Sequence, residues 1–172
     1  DKGYASATGD YGLYITKLWG DTSGAFGYTV NNKMSSGLSD KVSAGDSVVA
    51  YIYSDATAYS DKYTYFDKNS VTVKANEEVT LTLSGLGYDE NWQTVVSPLA
   101  DATITVDGEK TEYKTDSNGK VTISLKGGKT YTVSASADTL IVPPICLVTV
   151  EKSGSAVVWI VAGAVLIVIG VG

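Results

Sequence analysis

The sequence predicts an all-β body followed by one C-terminal transmembrane α-helix. Three observations carry this. Beyond residue 70, apolar and hydroxylated side chains alternate with period two in run after run. The segments between runs are turn formers: Asp107-Gly108, Asn118-Gly119 and Gly127-Gly128. The closing stretch 153–172 carries no charge over 20 residues, while all 13 lysines and 19 carboxylates lie in 1–152.

Taken in order, Tyr11 to Leu18 reads as a strand. Phe26, Tyr28 and Val30 mark a second, ended by Asn31-Asn32. A turn at Ala44-Gly45-Asp46 leads into Ser47 to Tyr53, a strand apolar on both faces and so expected at the centre of its sheet. Ser54 to Asp61 is a polar link. Three or four strands make a small core for residues 1–60, so this unit is expected to lean on a neighbour.

The second unit spans 61–152. Val79, Leu81 and Leu83 alternate with Thr80, Thr82 and Ser84. Ala102, Ile104 and Val106 do so with Thr103 and Thr105. Val121, Ile123 and Leu125, then Tyr131, Val133 and Ala135, repeat the pattern, and Ile145 to Val150 closes it after Pro143-Pro144. One face apolar and one hydroxylated is the signature of antiparallel sheets facing a core, and about seven strands suggest a β-sandwich.

The tail 153–172 is the third segment. At 1.5 Å per residue its 20 residues make ~30 Å of helix, the thickness of a bilayer's hydrocarbon core. A buried core helix is the competing reading, although such helices are ordinarily shorter and amphipathic. Ala156, Gly163 and Gly170 recur every seven residues and so fall on nearly one helical face, where small side chains let helices approach closely. The abundance of Gly and Ala in membrane helices explains the same stripe without packing. No lysine follows the tail, so orientation rests on translocation of the charged body rather than on flanking charge. Residue 1 is Asp and no apolar leader remains, which suggests a removed secretory signal.

Composition narrows the chemistry. The chain has no His, and its basic residues are all Lys. It therefore lacks the commonest general base and metal ligand. One Cys allows neither an intrachain disulfide nor a thiolate metal cluster. A net charge of −6 without Arg is not the footprint of a nucleic-acid binder. Cys146 alternates with Val148 and Val150, as expected of a structural thiol. Glu77-Glu78 and Asp89-Glu90 point to opposite faces if extended, so neither pair is a catalytic dyad. Asp116-Ser117-Asn118-Gly119 has the look of a calcium loop but lacks its later Glu. No catalytic residue, cofactor or metal ligand is expected. Tyr51, Tyr53, Tyr59, Tyr63 and Tyr65 form an aromatic-rich stretch that reads either as an interaction surface or as a half-buried strand with an inter-domain seam.

Two stretches resemble known families. GLYITKLWG, AFGYTVNNKMSSGLSDKV and SAGDSVVAYIY, residues 12–53, resemble the C-terminal half of the transcobalamin-like C-terminal domain. Tyr28, Val30, Asn31, Lys33, Gly45 and Asp46 match its hairpin and Gly-Asp turn, and Asn32 stands where Gly is usual. The resemblance implies a partial β-grasp-like unit over 1–60. Residues 100–136, with Ala102, Thr115-Asp116, Gly119 and Tyr131, resemble the carboxypeptidase-regulatory-like and invasin-type immunoglobulin-like modules of microbial surface proteins. This implies an immunoglobulin-like β-sandwich over 61–152. Both point to the cell surface of a bacterium or archaeon. With the uncharged tail and the lack of a paired nucleophile and base, the expectation is a non-enzymatic, single-pass surface protein with an extracellular ectodomain. Its partners are expected to be lipid, partner helices, or further copies in a membrane complex or filament. The alternative is a surface module binding a corrinoid or another small molecule.

Overall fold

The computed structural model describes residues 3–35, 37–91, 93–153, 157–161 and 164–168. The strands are β1 (Ala5–Gly9), β2 (Gly12–Lys17), β3 (Phe26–Val30), β4 (Lys33–Met34), β5 (Val48–Ile52), β6 (Lys62–Phe66), β7 (Ser70–Val73), β8 (Glu78–Tyr88) and β9 (Thr94–Pro98). They continue with β10 (Thr103–Val106), β11 (Glu109–Lys114), β12 (Lys120–Ser124), β13 (Thr130–Ser136), β14 (Ile141–Val142), β15 (Cys146–Val150), β16 (Val157–Val161) and β17 (Ala164–Val168). The described chain is all-β, as the alternation predicts.

Two compact units result. The first comprises Asp1–Tyr63 with Thr139–Val142, and the second Thr64–Asp138 with Pro143–Gly172. The division expected after residue 60 falls at Tyr63/Thr64, and a short later segment returns to the first unit. Hydrogen bonds explain the return: the Lys62 amide donates to the Leu140 carbonyl at 3.0 Å, and β14 pairs in parallel with Lys62 and Tyr63.

In the first unit β1 and β2 form a hairpin, and a three-stranded sheet has the order β4-β3-β5. β1, an Ala-Ser-Ala-Thr-Gly run, was invisible in the sequence because it has no apolar alternation. β3 is central and β5 lies at the edge, which corrects the expected position of residues 47–53. Apolar residues on both faces of β5 report a tyrosine cluster on one face and an apolar cavity on the other, not that both edges are paired. The Asn31-Asn32 turn has φ of 51° and 59°, the left-handed pair that a two-residue hairpin requires.

In the second unit one sheet runs β11-β10-β13-β15-β7. Its pairs are antiparallel except β15 with β7. In the other sheet β8 pairs with β12 along its first half and with residues 64–66 of β6 and with β9 along its second. The inward residues of both sheets meet in one core that includes Leu81, Leu83, Ile104, Ile123, Val133, Cys146 and Val148, each 0% exposed. Burying each aliphatic side chain contributes ~1.5–3 kcal/mol relative to exposure. Asp107-Gly108 turns with φ of 51° and 89°. The Asp107 carboxylate accepts from the Lys129 ammonium at 2.8 Å and from the Thr132 amide at 2.9 Å, tying that turn to β13.

The tail departs from expectation. In place of the α-helix predicted over 153–172, β16 and β17 pair antiparallel, from Val157↔Val168 to Val161↔Ala164. Among the described residues no helix is long and apolar enough to cross a membrane. Composition accounts for the strands: Val157, Val158, Ile160, Val161, Val165, Ile167 and Val168 are β-branched, and such side chains favour extended backbone. Ala156, Gly163 and Gly170, the expected packing stripe, lie outside the described residues.

Candidate functional site

The two faces of the β4-β3-β5 sheet carry the features with functional content. Register sorts them. Gly27 lies opposite Tyr51 and Thr29 opposite Val49, while Tyr28 lies opposite Ala50 and Val30 opposite Val48. Because side chains alternate, the first set occupies one face and the second set the other.

The first face gathers tyrosines. Tyr51 and Tyr63 are each 5% exposed and stack with centroids 5.5 Å apart. Tyr53 meets Tyr51 edge-on at 5.2 Å and Tyr59 meets Tyr53 edge-on at 5.3 Å. The Tyr51 hydroxyl lies 3.2 Å from that of Tyr53 and donates to Met34 Sδ at 3.6 Å. The Tyr63 hydroxyl donates to Asn32 Oδ1 at 3.0 Å. Gly27 makes this possible: a Cβ there would fall on the Tyr51 ring.

Of the five tyrosines singled out in the sequence, four are thus brought together. Tyr65 belongs to the second unit, where it pairs with Ser84. Tyr51 and Tyr63 sit inside, so what the cluster presents outward is chiefly Tyr59, 51% exposed. Tyr59 has φ of 52° within a loop held by two carboxylates. Asp55 accepts from the Thr57 and Ala58 amides and the Ser60 hydroxyl. The Ala58 amide first, then the Ser60 hydroxyl, holds its carboxyl below the usual range. Asp61, 5% exposed, accepts from the Ser54 and Asp55 amides, both at 2.9 Å. Desolvation pushes its pKa up, but the backbone donors together outweigh it and the net direction is down.

The opposite face floors a cavity of about 210 Å³. Tyr28, Val30, Val48 and Ala50 form its floor, and Ile15, Leu38 and Val42 contribute to the surrounding wall. Drug-sized ligands occupy about 300–1,000 Å³ and a corrinoid is larger still, so this cavity does not suit one. The sequence hid the cavity because its lining comes from five separated stretches, from Tyr4 to Ala50.

The remaining candidates are structural where they are described. Cys146 is fully buried, and burial pushes its thiol up to about 11. The Asp116 carboxylate accepts from the Asn118 and Lys120 amides, both at 2.8 Å, and so shapes its own turn. Glu77 accepts from the Lys74 amide at 3.0 Å. Among the described residues no group of His, Cys, Asp and Glu is placed to hold a metal ion. Sequence reasoning passed over Trp19, Tyr11 and Tyr4, which are 60%, 103% and 58% exposed.

No family model and no curated protein matches the chain.

Proposed function

We propose that this chain is a non-enzymatic, membrane-anchored cell-surface subunit with structural and interaction roles. Its body faces outward, and its closing segment is covered by a membrane complex or a filament core. The observation that carries the reading is the partition of charge: residues 153–172 have none, and every lysine and carboxylate precedes them. This uncharged and largely apolar segment left in water would expose a patch far larger than monomers tolerate.

The backbone sharpens the reading. β16 and β17 form a two-stranded sheet of their own. Such a hairpin is marginal in water and has two unpaired edges. In lipid those edges must be closed by further strands, or the segment must become a helix, the form that satisfies every backbone group within one chain. In a filament, neighbouring copies close them. The likeness of 12–53 to the transcobalamin-like domain and of 100–136 to immunoglobulin-like surface modules supports a surface address.

The test is the state of the full chain. In mild detergent it is expected to behave as an oligomer. A strict monomer at all concentrations overturns the packing claim. A full chain that stays soluble and monomeric in plain buffer overturns the anchoring itself. The amide I band of lipid-reconstituted chain distinguishes a helical from a stranded tail.

A further inference from the structure

We infer that the first unit binds a small amphipathic carboxylate, an aromatic or short aliphatic acid. Its apolar end would occupy the 210 Å³ cavity beneath β3 and β5, and its carboxylate would meet Lys33 and Lys41.

The argument begins with two recesses that share a wall. Val30, Ser35 and Asp40 line both the apolar cavity and a neighbouring, more open recess of about 350 Å³ that carries Lys33 and Lys41. The apolar side sets the size of the ligand. A cavity of about 150 Å³ lined by aliphatic residues takes one benzene. A space of 210 Å³ therefore takes one ring with a short tether, or a chain of comparable bulk.

The second recess sets the charge. Among the described residues Lys33 and Lys41 have no ion pair and no side-chain hydrogen bond. One carboxylate stands in the shared wall, Asp40, and its Oδ2 accepts the Ser35 hydroxyl at 2.7 Å. Two ammonium groups against one hydrogen-bonded carboxylate make the lining net positive, with Asp46 one hydrogen bond behind Asn31 at 2.8 Å. A wholly apolar ligand would fill the cavity and leave this charge unused, and an inorganic anion would leave the cavity empty. An amphipathic acid matches both.

The experiment uses the full chain in phosphatidylcholine nanodiscs, with methyl-labelled Ile, Leu and Val observed by NMR, and does not depend on how the tail is anchored. The probes are 3-phenylpropanoate and its uncharged amide. The acid is expected to bind saturably with a dissociation constant of about 0.1–1 mM, the range its size allows, and to shift the methyls of Ile15, Val30, Leu38 and Val48. The amide is expected to bind about tenfold more weakly. Lys33→Gln with Lys41→Gln is expected to bring the acid down to the amide's affinity and leave the amide's unchanged. Ala50→Phe fills the cavity and is expected to abolish both. Val48→Phe, at the 57%-exposed mouth, does the same job with less burden on folding. Absence of saturable shifts up to 10 mM acid, equal affinity for acid and amide, or full binding to a folded Ala50→Phe or Val48→Phe variant would each overturn the inference.

Discussion

Gly27→Ala offers a test of how the tyrosine face is built. Gly27 is not in the left-handed region, so its backbone accepts alanine. The conflict is with the Tyr51 ring, which lies over the glycine where a Cβ would be. Tyr51 has little room to yield. Tyr63 stacks on it at 5.5 Å, Tyr53 meets it edge-on at 5.2 Å, and Met34 takes its hydroxyl. Displacing the ring removes two aromatic contacts of ~0.5–1.5 kcal/mol each and part of the burial of a large side chain, ~1 kcal/mol. Against this, alanine restricts the unfolded chain and returns ~0.4–1 kcal/mol. The net expectation is a loss of ~2 kcal/mol. Thermal or urea unfolding followed by near-ultraviolet circular dichroism of tyrosine reads it directly. The decisive comparison is a double variant. With Tyr51→Leu already present, the obstruction is gone, and Gly27→Ala should be neutral or stabilising by up to ~1 kcal/mol. If Gly27→Ala costs the same in both backgrounds, the ring is not what the glycine accommodates, and the account of this face fails.

Two further outcomes follow from buried groups. Cys146, buried and with its thiol raised to about 11, should react with iodoacetamide at pH 8 at least ~100-fold more slowly in the folded chain than in urea. Comparable rates would place it at the surface. Asp61 is held below its unfolded pKa of ~3.9, so the stability it contributes is complete above that value and is lost as pH falls through the lower folded value. Asp61→Asn should therefore flatten the acid limb of the first unit's stability curve below about pH 4 and leave its shape near pH 7 unaltered. An unchanged acid limb would show that the Ser54 and Asp55 amides do not depend on the charge.

Much of the second unit could be read from the chain because its signals are local. Val79, Leu81 and Leu83 alternate with hydroxylated residues in sequence and are buried alternately in space. The Asp107-Gly108 and Asn31-Asn32 turns demand positive φ, and the residue types declare it. The exposed hairpin strand β9 was missed, because Val95 and Val96 sit on opposite faces and are 41% and 57% exposed. The tail misled in a different way. Hydropathy reports that residues 153–172 avoid water but not which hydrogen-bond pattern they adopt, and seven β-branched residues within the two paired segments pull toward strands.

By itself the sequence determined the all-β class, the turn positions, the burial of Cys146 and the lack of charge in the last 20 residues. These depend on residue type and near-neighbour spacing, which the chain carries locally. Only the tertiary structure decided that β5 is an edge strand, that Thr139–Val142 returns to the first unit, and that four tyrosines from β5, the following loop and β6 meet ring to ring. It also set an apolar cavity beside a recess lined by Lys33 and Lys41. Each of these is a contact between segments far apart along the chain, and pairing across that distance is chosen by the fit of whole surfaces, which no short window of residues contains.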